Sequence, residues 1–228
     1  PTGAYSRGMN ADLPIIEPAI FEAMRTQRAM RRLKPDPVPV EYIHRLVWAA
    51  TRAPNGGNVQ PWRFMVVEDA AKKRGLQEIY AAEWAKYIAG RGAQKRAEVS
   101  ERERRSLELT LERGQYLADH LHEAPFIIIP CGFLLAINSG IASGSSIYPA
   151  IQNLMLAARA MGLGTVLTTL HRQNEGAVRE LLGIPEDAHT AALLPIGWPV
   201  GRFGEGPRRP PSEVTYWDSW GKTRDFEV

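Results

Sequence analysis

The segment Pro149 to Met161, PAIQNLMLAARAM, is apolar on nearly every side of a helix, with only Gln152, Asn153 and Arg159 strongly polar. Such a helix must be buried on nearly all sides, in a core or in a subunit interface, so the chain has to build layers around it. Pro149 suits its first turn and Gly162 its C-cap. At 228 residues, 44% of them apolar, the chain has the size of one compact domain with a sizeable core. No repeat or linker composition divides it. The expected layout is an N-terminal extension over 1–17, one domain over 18–206, and an arm over 207–228. The arm carries Pro207, Pro210, Pro211, Tyr216, Trp217 and Trp220, a proline-rich and aromatic composition that suits packing on another surface.

Several classes drop out early. The one cysteine, Cys131, excludes an internal disulfide framework and a zinc site of paired cysteines, so a reducing, cytoplasmic setting is expected. No apolar run reaches the roughly 18 residues of a membrane span, and the N-terminus has no signal-peptide core. A net charge of +3 is too modest for a dedicated nucleic-acid binder. The densest charge run, Arg91 to Arg113, mixes both signs as a solvent-facing helix does.

The expected elements are a helix from Pro18 to Met30, with Ile20, Phe21, Met24 and Met30 near one face, and a second from about Pro39 that stops before Pro54. A loop follows at Asn55-Gly56-Gly57-Asn58, then a strand at Phe64–Val67. Two helical regions run from Ala70 to Ile88 and on to about His122. Further strands are expected at Phe126–Ile129, between two prolines, at Thr165–Thr169 and at Ala191–Ile196, with a short helix between Asn174 and Gly183.

Familiar motifs fail. Gly162-Leu163-Gly164 follows a helix and lacks the third glycine of a dinucleotide fingerprint. Gly140-Ile141-Ala142-Ser143-Gly144 has alanine where a nucleophile elbow needs serine. His120 and His122 would point about 200° apart on a helix, so no metal pair forms, and no metal is expected. Cys131 reads as an inert core thiol. What remains suits an anion and a flat ring: Arg28, Arg31 and Arg32 at the end of the first helix, Arg208 and Arg209 in the arm, the small Asn55–Asn58 loop, and two hydroxyls at Thr168 and Thr169. Each piece also has a plain reading as a basic helix end, a tight turn or an ordinary strand.

Gln27-Arg28-Ala29-Met30-Arg31-Arg32 through Pro39 resembles the opening motif of the nitroreductase family, and Ala53-Pro54-Asn55-Gly56-Gly57-Asn58-Val59-Gln60-Pro61-Trp62-Arg63-Phe64 resembles its second. The helix from Gln152 to Thr165 resembles the third, and Gly197-Trp198-Pro199 with Pro207-Arg208-Arg209-Pro210 the C-terminal close. The resemblance implies an α+β fold with a mostly antiparallel sheet flanked by helices, in an intertwined homodimer that exchanges C-terminal arms. It also implies bound FMN, with NADH or NADPH as reductant in a ping-pong cycle that passes electrons to a nitroaromatic, quinone or related small molecule.

By the same resemblance Arg28, Ala29, Arg31 and Arg208 fall at the phosphate, Asn55, Gly56 and Asn58 at the loop reaching the flavin from the other subunit, and Thr168 and Thr169 beside the ring. Thr169 is expected to tune flavin N5 or, alternatively, to cap the strand. Gln27 and Ala29 depart from an arginine and a serine common in the opening motif, and Asn55 from a serine. No catalytic side chain is expected, because the flavin carries the chemistry. Trp84, Tyr87 and Arg91, in the segment where members vary their lid, are expected at the substrate, with helix-surface packing as their plain alternative. Other readings of the same fold are a dehalogenase acting on halotyrosines, a flavin-fragmenting enzyme, a flavin store or sensor, and a member using a deazaflavin or no flavin.

Overall fold

A computed structural model describes residues 19–92, 100–133 and 144–226, excluding the side chains at 91, 92, 102 and 103. The N-terminal extension, Pro18, the Arg91 side chain, much of the charge run and most of the Gly140–Gly144 stretch therefore lie outside the described residues. Five strands form one antiparallel sheet: β1 (Trp62–Val67), β2 (Phe126–Phe133), β3 (Gly164–Thr165), β4 (Ala188–Thr190) and β5 (Leu194–Gly197). Its order is β1-β2-β5-β3, with β4 also on β2.

Alternation along β2 divides the core into two layers. Ile127, Ile129 and Cys131 pack with α3 (Ala70–Gly92), the end of α4 (Glu101–His120) and α6 (Glu175–Leu182). Phe126 and Ile128 pack on the opposite face with α2 (Val40–Ala50) and α5 (Ile147–Ala160). A strand covered on both faces reads as the continuous apolar run seen at Phe126–Ile129. Each fully buried Leu or Ile contributes about 1.5–3 kcal/mol by leaving water. The expected α+β architecture is the one observed.

The α5 helix is the apolar helix of the sequence; of its polar residues Gln152 is exposed, and the other two are absorbed by neighbours. Asn153 Nδ2 donates to the Ala49 carbonyl at the end of α2, and Arg159 Nε donates to Thr26 Oγ1 of α1 (Ala19–Thr26). It starts at Ile147, two residues before Pro149, and Gly162 follows it with φ +78°, a conformation that stops a helix at low cost for glycine.

Several boundaries differ from expectation. The first helix stops at Thr26, because Met30 N–H donates to Thr165 O and draws the next residues out as an extended segment. Ile20, Phe21 and Met24 face solvent, whereas Ala23 is the apolar residue that α1 buries. Strand β2 runs through Pro130 to Phe133, so Cys131 lies in it rather than after it. Pro130 is tolerated because it sits where β2 changes partner from β5 to β4, and its carbonyl accepts from Ala191 N at 2.8 Å. The expected Thr165–Thr169 strand reduces to β3 plus a single bridge from Thr168 to Leu193. The expected Ala191–Ile196 strand is shorter, β5 starting only at Leu194, and β4 ahead of it was unanticipated.

The arm folds back on itself locally. Trp217 N donates to Lys222 O at 2.7 Å, Glu213 N to Pro210 O, and Val214, Tyr216, Trp217 and Trp220 stay exposed.

Candidate functional site

The arginine cluster is displayed by an extended segment. Lys34 N donates to Trp198 O and Val200 N to Arg32 O, which clamps residues 30–34 against β3 and the chain after β5. Met30 and Leu33 turn into the core, while Arg28 and Arg32 point outward and Arg31 is half-buried. Gly164 permits this closeness: a Cβ there would lie 2.9 Å from Leu33 and 3.0 Å from Met30. The arginines are thus not a basic helix end, as the sequence suggested, but the outward side of a strand-like clamp.

Two cavities meet at Arg31. The first, about 420 Å³, is lined by Arg28 to Arg32, by Leu109, Glu112 and Arg113 of α4, and by Val200, Gly201 and Arg202. The second, about 410 Å³, is lined by Arg31, by Tyr80, Trp84 and Tyr87 of α3, by the opposite flank of α4, and by Val166 to Leu170 with Gln173. One is a basic pocket, the other an aromatic and hydroxyl-bearing slot.

Tyr80, almost wholly buried, meets Thr168 across the slot, its hydroxyl 3.1 Å from Thr168 Oγ1. Burial pushes the Tyr80 phenol above its ordinary range, only partly opposed by the Thr168 hydrogen bond and the Arg31 charge. Burial likewise lowers Arg31, with Tyr80 opposing and Arg113 adding to the shift. Thr169 is exposed to the slot and opens a 3-10 turn at Leu170–Asn174. Trp84 is a fixed wall. Its Nε1 donates to Gln115 Oε1 at 2.8 Å and its ring presses on Gly114, where a Cβ would come within 2.3 Å. Tyr87 is tilted on Trp84 at 5.4 Å and more exposed.

The structure brings together Arg28, Ala29 and Arg31 in one cavity, and Arg31, Trp84, Tyr87, Thr168 and Thr169 in the other. It does not bring Asn55, Gly56, Asn58 or Arg208 to either lining. The loop lies by α5, with Gly56 N donating to Ser146 Oγ, and Asn55 Oδ1 is spent accepting Gln60 N at 2.8 Å. Arg208 donates to the neighbouring Pro207 carbonyl. Sequence reasoning missed Arg113, Arg202 and Tyr80. Arg113 was one cation in a mixed run, and only the packing of α4 turns it toward the clamp.

Cys131 lines neither cavity. Burial, with Glu175 adding, pushes the Cys131 thiol up to about 11. His171, behind the slot, is buried with neither ring nitrogen hydrogen-bonded among the described residues.

Comparison with known proteins identifies the relatives of this chain. The nitroreductase family model matches residues 24–198. The chain is 31% identical over 220 residues to an NADH dehydrogenase of Thermus thermophilus, covering 92% of this chain and all of that one. It is 28% identical over 217 residues to the 5,6-dimethylbenzimidazole synthase of Rhodospirillum rubrum, covering 86% and 95%. Among solved structures, iodotyrosine deiodinase bound to FMN and 3-iodo-L-tyrosine aligns with a TM-score of 0.67 at 25% identity, covering 83% of this chain and 95% of that one.

Proposed function

Since this chain belongs to the nitroreductase family of oxidoreductases, we propose that it binds FMN, takes reducing equivalents from NADH or NADPH, and passes them to a nitroaromatic, quinone or related acceptor in a ping-pong cycle. The observation that carries the reading is the junction at Arg31 of a basic cavity and an aromatic, hydroxyl-lined slot, which suits one molecule bearing a phosphate at one end and a flat ring at the other. When bound, FMN supplies the acceptance and donation of hydride.

The chain's own residues bind and orient. Arg28 and Arg31 hold the phosphate by charge-assisted hydrogen bonds, with the Ala29 backbone between them. Thr168, fixed by Tyr80, and Thr169 face the ring edge, where Thr169 tunes rather than reacts. Trp84 and Tyr87 bound the space above the ring and exclude water from it, and Arg91 lies on the same helix toward its end. The Asn55, Gly56 and Asn58 contacts come from the second subunit of a homodimer, and Arg208 joins Arg28 and Arg31 on the phosphate. The exposed apolar residues of α1 and the aromatic arm supply surface for that dimer, in which residues 207–228 pack on the partner. Among the described residues no helix is long and apolar enough to cross a membrane, and the sole cysteine fits a cytoplasmic protein.

The test is spectroscopic. Purified protein is expected to carry or take up FMN, to lose its visible absorbance when mixed with NADH or NADPH without oxygen, and to regain it with an acceptor from a panel of nitroaromatics, quinones and halotyrosines. Protein that binds FMN yet is not bleached by either nucleotide is a flavin carrier rather than this enzyme. Recovery with the halotyrosine alone favours the dehalogenase reading.

A further inference from the structure

Positive charge around the basic cavity exceeds what one phosphate neutralises. Arg28, Arg31, Arg32, Arg113 and Arg202 line it with a single carboxylate, Glu112. Arg32 takes that carboxylate at 2.9 Å. The other four guanidiniums make no ion pair among the described residues. A phosphate monoester carries about −1.5 to −2 at neutral pH, so the phosphate of FMN offsets about two of these four charges.

The surplus pair also approaches from elsewhere. Arg28 and Arg31 belong to the clamp, whereas Arg113 stands on α4 and Arg202 on the chain after β5. Helix α4 lines both cavities at the same turns: Thr110, Gly114 and Leu117 face the ring slot, and Leu109 and Arg113 the basic cavity. A dinucleotide with its nicotinamide in the slot would have its remaining length running along α4 toward Arg113.

We propose that the basic cavity receives a second phosphate beside that of FMN, the 2′-phosphate of NADPH, and that Arg113 and Arg202 bind it and make the protein NADPH-selective. The inference rests on the FMN reading above. It follows from arginine's planar fork, which matches a phosphate's oxygens bidentately, and from the reductant being the component whose two forms differ by that one group.

The experiment is calorimetric titration of NADP+ and NAD+ into FMN-loaded full-length protein, with FMN affinity measured separately. NADP+ is expected to bind at least tenfold more tightly than NAD+. Arg113→Gln and Arg202→Gln should each cut that preference below threefold while weakening FMN by less than threefold. Both side chains are exposed, so folding is not at stake. Equal binding of the two nucleotides by the wild type overturns the proposal. So does a tenfold or greater loss of FMN affinity in either variant, which would make all four arginines one phosphate site. A wild-type protein that binds no FMN removes the premise and the proposal together, a result distinct from either.

Discussion

The side chain of His171 ties stability to pH, since burial lowers it from 6.5 to about 4, with Glu175 opposing and Arg172 adding to the fall. Below pH 6.5 the unfolded chain takes up a proton that the folded chain refuses until about pH 4. Its contribution to stability is therefore full above 6.5 and is lost as pH falls through that window, by about 3 kcal/mol in all. Glu175 does not share this window: burial raises it, but Thr190 N–H and hydroxyl, together with His189, outweigh that and hold it below its usual range. Urea melts at pH 7 and pH 5 should show a loss that is smaller by about 2 kcal/mol in His171→Phe than in the wild type. Equal losses in the two would assign the acid sensitivity elsewhere. The same residue could not have been singled out from sequence, where a lone histidine after two threonines carries no signal of burial.

Among the elements, α3 and α4 depend on a contact that sequence pattern conceals, the Trp84 indole pressed against Gly114. Gly114→Ala gains about 1 kcal/mol of helix propensity but forces a methyl into a rigid ring, at about 1–3 kcal/mol. A net fall in the urea midpoint is expected, and a rise when the same change is made on a Trp84→Leu background. The same sign in both backgrounds would mean the contact is not the cause. Elements with strong local signals were legible: α2 ahead of Pro54, α5 between its apolar run and Gly162, and α6 before Gly183. Strand β4 was not, because Ala188-His189-Thr190 has no apolar pattern and is held by pairing with β2 and by the Glu175 carboxylate. Nor was the stop of α1, which no proline or glycine marks and which a long-range hydrogen bond from Met30 to Thr165 imposes. At the site, the Arg28–Arg32 cluster and the threonines could be read from motif and chemistry. The converging Arg113 and Arg202, by contrast, exist only once α4 packs beside the clamp.

At the scale of the molecule, a two-faced antiparallel sheet fixes the clamp, the α3–α4 pair and the Thr168–Thr169 turn around two adjoining cavities, while the Asn55 loop and Arg208 stay away from both. In the proposed function the clamp anchors a phosphate-bearing flavin. The most direct measurement is equilibrium FMN titration of wild-type and Arg28→Ala protein at matched concentration, with circular dichroism to confirm that both are folded. Losing one charge-assisted contact should cost about 1.5–3 kcal/mol, a roughly ten- to hundredfold weaker affinity. FMN bound equally well by the two proteins, or by neither, would contradict the account.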